Sequence, residues 1–431
     1  MKALADAEKI EKLKKPTAYT TIMRAQAYFN ANKEEKGLRV IEQYAQANPS
    51  NIAIQLARGD SYAAAGKDDE ALRIYNDVLQ HNPTYAKTYA VLYAYYLQRG
   101  DSATGESYIY SALQQSQIGL DDKINILRVL SKNIHANDNK DERARILTIL
   151  DDLSRQYPLE EEIHGIYANY LDATDVVEDS IANREWHIIL DLNPYSAEAW
   201  GALTSDALRK DDAQRLISIT DSATHYLPDD YRWYLYQTIG YILLHDYEKA
   251  IDASRRGQQC VAADENMPAQ QRSMMYSTFY QNMGDAYYEL SQSDSSYYYY
   301  EQSLSYMPDN IGLLNNYAYH LALDSMDLSR AEQMSAKTIQ AEADNATYLD
   351  TYAWVLFRRG NLTLARFYIQ RAVDNLTPQQ ANDPDVWEHY TTIMELSGHA
   401  DAAATGRQRL LEALQKAAGL DVLDSDEHET K

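Results

Sequence analysis

The chain carries one cysteine, Cys260, in 431 residues, which excludes any intrachain disulfide. Cys260 itself is expected to be a small buried residue and not a reactive thiol. Glycine (16) and proline (10) are sparse, too few for the many turns of an all-β chain of this length. No stretch approaches the roughly 18 apolar residues that a membrane helix needs. Cations are in deficit, with 40 Lys and Arg against 64 Asp and Glu and a net charge of −24. Such a field repels nucleic-acid backbones, whose binding depends on neutralising phosphates with Lys and Arg. Catalytic signatures are missing too: there is no G-x-x-x-x-G-K-[ST] phosphate loop, no H-E-x-x-H and no G-x-S-x-G elbow. The ten histidines stand singly, none paired with another at the spacing of helical metal ligands. The acidic run NDNKDERAR after Ala136 lacks the glycine and the bidentate Glu of a calcium loop, and reads as a solvated loop. No enzymatic activity, metal or cofactor is expected.

What the chain has in excess is tyrosine, 37 against 4 Phe and 5 Trp. Tyrosine buries a ring while leaving its hydroxyl for water or a polar partner, which suits thin helical layers with a wet edge. The punctuating residues recur at a fixed period. Pro49 and Pro83, Tyr62 and Tyr96, Gly66 and Gly100, Pro194 and Pro228, and Trp200 and Tyr234 are each separated by 34 residues. The clearest unit lies in Leu313–Val373. There a first helix carries Leu349, Tyr352, Ala353 and Leu356 on one face, Gly360 breaks it, and a second helix carries Ala365, Ile369 and Ala372.

A helix–turn–helix unit of about 34 residues is the period of the tetratricopeptide repeat (TPR), and the chain resembles that family. Gly59, Tyr62, Gly66, Ala71, Tyr75 and Pro83 follow its pattern, as do Tyr280, Met283, Gly284, Tyr287, Tyr300 and Pro308. The resemblance implies an all-α, right-handed superhelical α-solenoid of stacked helical hairpins. The expected layout is a leading helix over 1–15, an amino-terminal array over 16–257 with a diverged pair near 118–158, and a joint over 258–273. A carboxy-terminal array over 274–418 and an acidic tail over 419–431 complete it. Asp211-Asp212 and Asp229-Asp230 fall at helix starts and read as caps. Of the four tyrosines 297–300, Tyr300 is expected inside and Tyr297 to Tyr299 around the surface.

In this family the first helices line a groove that holds a peptide or a partner helix. Projected onto it, the groove candidates are Gln281, Asp285, Tyr288, Asn315, Tyr319, Asp350, Trp354, Phe357 and Arg358. Trp354 with Arg358 nearby resembles a binding hot spot, but the same indole could simply pack on the first helix of the next repeat. Chaperone-binding members read a terminal carboxylate with Lys, Asn and Arg; Asn315 and Asn316 are present here without a groove Lys. The expected role is therefore a non-enzymatic scaffold or adaptor for a protein or peptide, with a small-ligand or glycan sensor as the alternative. Tandem LLNNYAYHLA and LDTYAWVLFRRG also resemble bacterial repeat proteins that are exported or membrane-anchored. Asp-Ser-x tripeptides at Asp101, Asp179, Asp221 and Asp324 look like a periplasmic glycosylation signal. The opening MKALADAEKIEKLKKP carries no leader and reads as mid-helix, so a removed leader with a membrane anchor is expected. The compartment is then periplasmic or outer-membrane-associated, with the cytoplasm as the alternative.

Overall fold

A computed structural model describes residues 16–132, 140–173 and 179–417. The expected leading helix and acidic tail lie outside the described residues, as do the first three residues of NDNKDERAR. The chain divides into two compact units, Met1–Leu203 and Thr204–Lys431. Among the described residues there are 22 α-helices and no strand.

In the first unit, α1 (Ala18–Asn30) pairs with α2 (Glu34–Ala47), α3 (Ile52–Ala64) with α4 (Asp68–His81), and α5 (Ala86–Gln98) with α6 (Ser102–Gln114). Next come α7 (Leu120–Lys132) and α8 (Lys140–Gln156), then the pair α9 (Glu161–Asp172) and α10 (Asp179–Leu192). The division at 203/204 falls inside α11 (Ala197–Arg209). The second unit contains α12 (Ala213–Tyr226), then pairs α13 (Tyr231–Leu243) with α14 (Tyr247–Ala263) and α15 (Ala269–Glu289) with α16 (Ser293–Tyr306). It continues with α17 (Ile311–Leu323) on α18 (Leu328–Ala341), α19 (Ala346–Arg358) on α20 (Leu362–Asp374), and α21 (Pro384–Leu396) on α22 (Ala400–Ala417). The all-α, hairpin-repeat architecture expected from the 34-residue period is what forms.

Local chemistry sets the helix ends. Asp212 accepts from the backbone N–H of Arg215 at 3.0 Å and Asp230 from that of Arg232 at 3.0 Å, satisfying donors that a helix start leaves open. Among the described residues, the turns inside the hairpins pass through the left-handed region. Gly66, Gly100, Gly360 and Gly398 do so at φ between 70° and 82°, and Asn32, Asp211, His245, Ser291 and Ser325 do so at 52–58°. Asn32, Gly66 and Gly100 follow one another at the repeat period, so the turn geometry is as periodic as the sequence.

Two further devices recur. Tyr89, His164, Trp200 and Tyr234 each sit six residues after a proline and hydrogen-bond to its carbonyl, at 2.8, 3.2, 2.9 and 3.0 Å. The large residue early in each of these first helices thus ties its helix back to the preceding turn. The second device is a glycine that admits a tyrosine. A Cβ on Gly59 would overlap the Tyr75 ring, and one on Gly284 would overlap that of Tyr300. Each tyrosine then donates to the carboxylate beside its glycine, Tyr75 to Asp60 at 2.7 Å and Tyr300 to Asp285 at 2.6 Å.

The core stripe of the clearest unit is sealed as expected, with Leu349, Ala353, Ala365, Ile369 and Ala372 at 0% exposure. Ala365→Leu should overpack α19 against α20 and cost about 1–3 kcal/mol, read as a lowered thermal midpoint by circular dichroism. An unchanged midpoint would show slack at this contact. Ile146, Leu150 and Leu153 of the diverged pair are buried against Ile163 and Tyr167.

Two expectations need correction. Tyr297 is buried, not superficial, because its hydroxyl finds Asp324 at 2.6 Å and its ring meets Tyr317. Cys260 is only half-buried, its thiol 3.4 Å from the carbonyl of Pro228, and partial burial pushes that thiol's pKa up. In the stretch 258–273, only residues 264–268 are outside a helix. Arg272 ties that loop down through the carbonyl of Val261 at 3.0 Å, and Met267 is buried beside Phe279.

Candidate functional site

Three first helices of the second unit, α17, α19 and α21, lie side by side and leave a hollow of ≈ 200 Å³ between them. Each helix divides its surface between two duties. On α17, Leu314, Tyr317, Ala318 and Leu321 are buried in the repeat core, while Asn315 and Tyr319, one turn apart, line the hollow. On α19, Leu349, Ala353 and Leu356 are in the core and Thr347 and Asp350 face the hollow. Asn345 fixes the start of α19 by accepting from Thr347 and Tyr348 N–H at 3.1 and 3.3 Å. On α21, Asp383 caps the helix through the Asp385 N–H at 3.0 Å, and Asp385 and His389 share the lining face. The connection between α20 and α21 contains a 3-10 turn, Gln380–Asn382, which swings Gln380 over the rim to within 3.3 Å of the Thr347 hydroxyl.

His389 organises the site. It is 4% exposed, and its Nδ1 lies 3.0 Å from both carboxylate oxygens of Asp350. Since the carboxylate can only accept, Nδ1 carries the proton. The ring stacks on Trp354 with centroids 4.1 Å apart, and Nε2 is 3.4 Å from the Tyr319 hydroxyl. Burial by itself lowers the His389 pKa. The Asp350 charge and hydrogen bond, helped by Asp385 and Glu388, outweigh it, and the net shift is upward. Asp385 is pushed up as well, by burial first and then by Asp383. Tyr319 is pushed up by burial, with the charges of Asp385 and Asp350 adding to it. The whole neighbourhood thus disfavours further negative charge.

Of the nine groove candidates, the structure brings Asn315, Tyr319 and Asp350 together in the lining. Trp354 stands behind them, against His389 and 4.9 Å from Phe357. The indole therefore packs on the first helix of the next repeat and at the same time supports the site's histidine. Arg358 is occupied by the carbonyl of Leu323 at 3.2 Å and by the Ser325 hydroxyl. Gln281, Asp285 and Tyr288 lie on α15, outside this lining; Gln281 and Tyr288 reach the next repeat, and Asp285 reaches the second helix of its own hairpin. Gln281 accepts from Asn310 at 3.0 Å, Asp285 accepts from Tyr300, and Tyr288 stacks on His320 with centroids 3.6 Å apart. Each of these groove candidates has a polar or aromatic partner on an adjoining helix.

Sequence reasoning missed His389, Gln380, Thr347 and Asp385. His389 was set aside as a lone histidine, because Asp350 is 39 residues away. The available signal was positional: both residues fall about one turn into the first helices of successive repeats.

No family model matches the chain, and no curated protein matches it. Solved structures that it is similar to include yeast Tom70, at 12% identity and a TM-score of 0.41 over 95% of this chain and 97% of that one. The APC/C hetero-tetramer Cut9–Hcn1 aligns at 11% identity and a TM-score of 0.42, over 97% and 85%. YrrB, described as a TPR protein with an unusual peptide-binding site, aligns at 14% identity and 0.33, over 44% and 91%. The class is carried by the chain's own features, its paired helices and its 34-residue period: this is a helical-hairpin repeat protein with the period of the tetratricopeptide repeat.

Proposed function

We propose that the chain is a non-enzymatic protein-interaction scaffold, and that its second unit receives a partner segment at the α17–α19–α21 hollow. One observation carries this reading. Asn315, Thr347, Asp350, Gln380 and Asp385 converge on an open cavity although the repeat core does not need them. A hairpin stack that only held itself together would have apolar or solvated positions there. Hydrogen-bonding side chains held by capped, packed helices form a preorganised surface, which lowers the ordering cost of binding. As part of the same proposal the scaffold acts in the periplasm or at the outer membrane, a placement supported by the Asp-Ser-x tripeptides and tested by cell fractionation.

Photo-crosslinking tests the binding face. A benzoylphenylalanine at Thr347, which is exposed at the hollow, should yield a discrete crosslinked protein in the native host. The same probe at Phe367, 54% exposed on the second helix α20, should not. Equal labelling from both positions, or labelling of an oligosaccharide alone, would sink the reading.

A further inference from the structure

We propose that the hollow is a receptor for a cationic side chain, lysine or arginine, projected by the partner segment; this rests on the scaffold reading above. The first observation is an orphan. Asn315 is 5% exposed, lines the hollow, and its Oδ1 is buried with no hydrogen-bond partner. A buried carbonyl oxygen without a donor costs about 1–3 kcal/mol, a cost removed when a ligand supplies the N–H. The orphan atom can only accept, so the ligand must donate.

The second observation is charge. Asp350, Asp383 and Asp385 line the same hollow, and no Lys or Arg is in its lining. Asp350 already holds the proton-bearing Nδ1 of His389, while Asp383 and Asp385 have no Lys or Arg beside them in the lining. The acceptors are also spread too widely for a metal. Among the described residues no group of three or more His, Cys, Asp or Glu is arranged to hold one. Dispersed acceptors around ≈ 200 Å³ suit an organic cation with several N–H donors, not a compact ion. The Tyr319 ring in the wall adds an aromatic face of the kind that cations favour. The acidic lining also repels the terminal carboxylate that chaperone-binding relatives accept.

The test uses fluorescein-labelled degenerate pentapeptide pools with Lys, Arg, norleucine or Glu fixed at the centre, titrated with the full chain by fluorescence anisotropy. The Lys and Arg pools should bind about tenfold tighter than the norleucine pool, and the Glu pool weakest. Asp385→Asn, in the lining, should remove most of that advantage. Asp401→Asn, in the first turn of α22 and outside the lining, should leave it intact. Asn315→Leu should weaken the Lys and Arg pools while retaining the helical circular dichroism. Equal affinity for the Lys, Arg and norleucine pools overturns the cation assignment and leaves the scaffold reading standing. Equal losses in Asp385→Asn and Asp401→Asn also overturn it, since bulk charge would then be the cause. Binding by no pool overturns both.

Discussion

Tyr300→Ala is expected to destabilise the second unit by about 3–5 kcal/mol, the range for deleting a large buried ring. Tyr300 is at 0% exposure and fills the space that Gly284 leaves open. Its hydroxyl lies between two titratable groups, 2.6 Å from Asp285 and 3.0 Å from His320 Nδ1. Burial pushes the Asp285 carboxyl up to about 6 and the His320 imidazole down to about 4. Removing the ring leaves a cavity and strips both groups of their shared partner. Tyr300→Phe keeps the ring and loses only the hydroxyl, so its cost should fall to about 1–3 kcal/mol. Urea denaturation of the full chain, followed by circular dichroism, separates the two. Equal midpoints for Ala and Phe would show that the hydroxyl, and not the ring, carries the effect.

The same network has a signed pH response. Asp285 has a raised folded pKa, so the cost of keeping it ionised is present above about 6 and is relieved as pH falls toward 3.8. His320 has a lowered folded pKa, so holding it neutral costs nothing above 6.5 and progressively more as pH falls toward about 4. Over that interval the two contributions oppose each other. The stability of the wild-type network should therefore be flat with acidification, and His320→Asn should turn the profile upward as pH falls.

The second large effect belongs to the first unit. Glu185→Ala should cost about 3–5 kcal/mol, because it breaks a buried pair and leaves one member behind. His164 and Glu185 are 2% and 1% exposed, with Nδ1 and Oε2 2.6 Å apart. Arg184 adds a second contact to the carboxylate at 2.7 Å. Burial raises the Glu185 pKa, but the His164 and Arg184 hydrogen bonds outweigh it and the net shift is downward. A carboxylate with a lowered folded pKa stabilises above its ordinary value of 4.5 and loses that contribution as pH falls through the folded one. The wild type should thus weaken on strong acidification, and Glu185→Ala should lack that limb. A midpoint loss in urea below about 1 kcal/mol would place water, not protein, around His164.

These two sites differ in how far the sequence announces them. Tyr300 is legible: Asp60 and Tyr75 have the same 15-residue spacing as Asp285 and Tyr300, each carboxylate directly following a glycine. His164 lies six residues after Pro158, at the position that Trp200 takes after Pro194, so its burial follows the period as well. That Glu185 meets it across the hairpin does not, since pairing between helices depends on crossing angle as well as on spacing.

The hollow was half legible. Asn315, Tyr319, Asp350 and Trp354 stood out because they share first-helix faces that the core stripe does not use. By itself the sequence determined the 34-residue hairpins, the helix caps at Asp212 and Asp230, the left-handed turn at Gly360 and the sealed stripe from Leu349 to Ala372. All of these depend on contacts within one repeat, where spacing and geometry are equivalent. Only the tertiary structure decided that His389 would reach back to Asp350 and Trp354, that Gln380 would close the rim, and that Asn315 Oδ1 would be left without a donor. Those outcomes depend on how successive hairpins are offset, and the irregular connection from Asn375 to Asp383 breaks the period at that point.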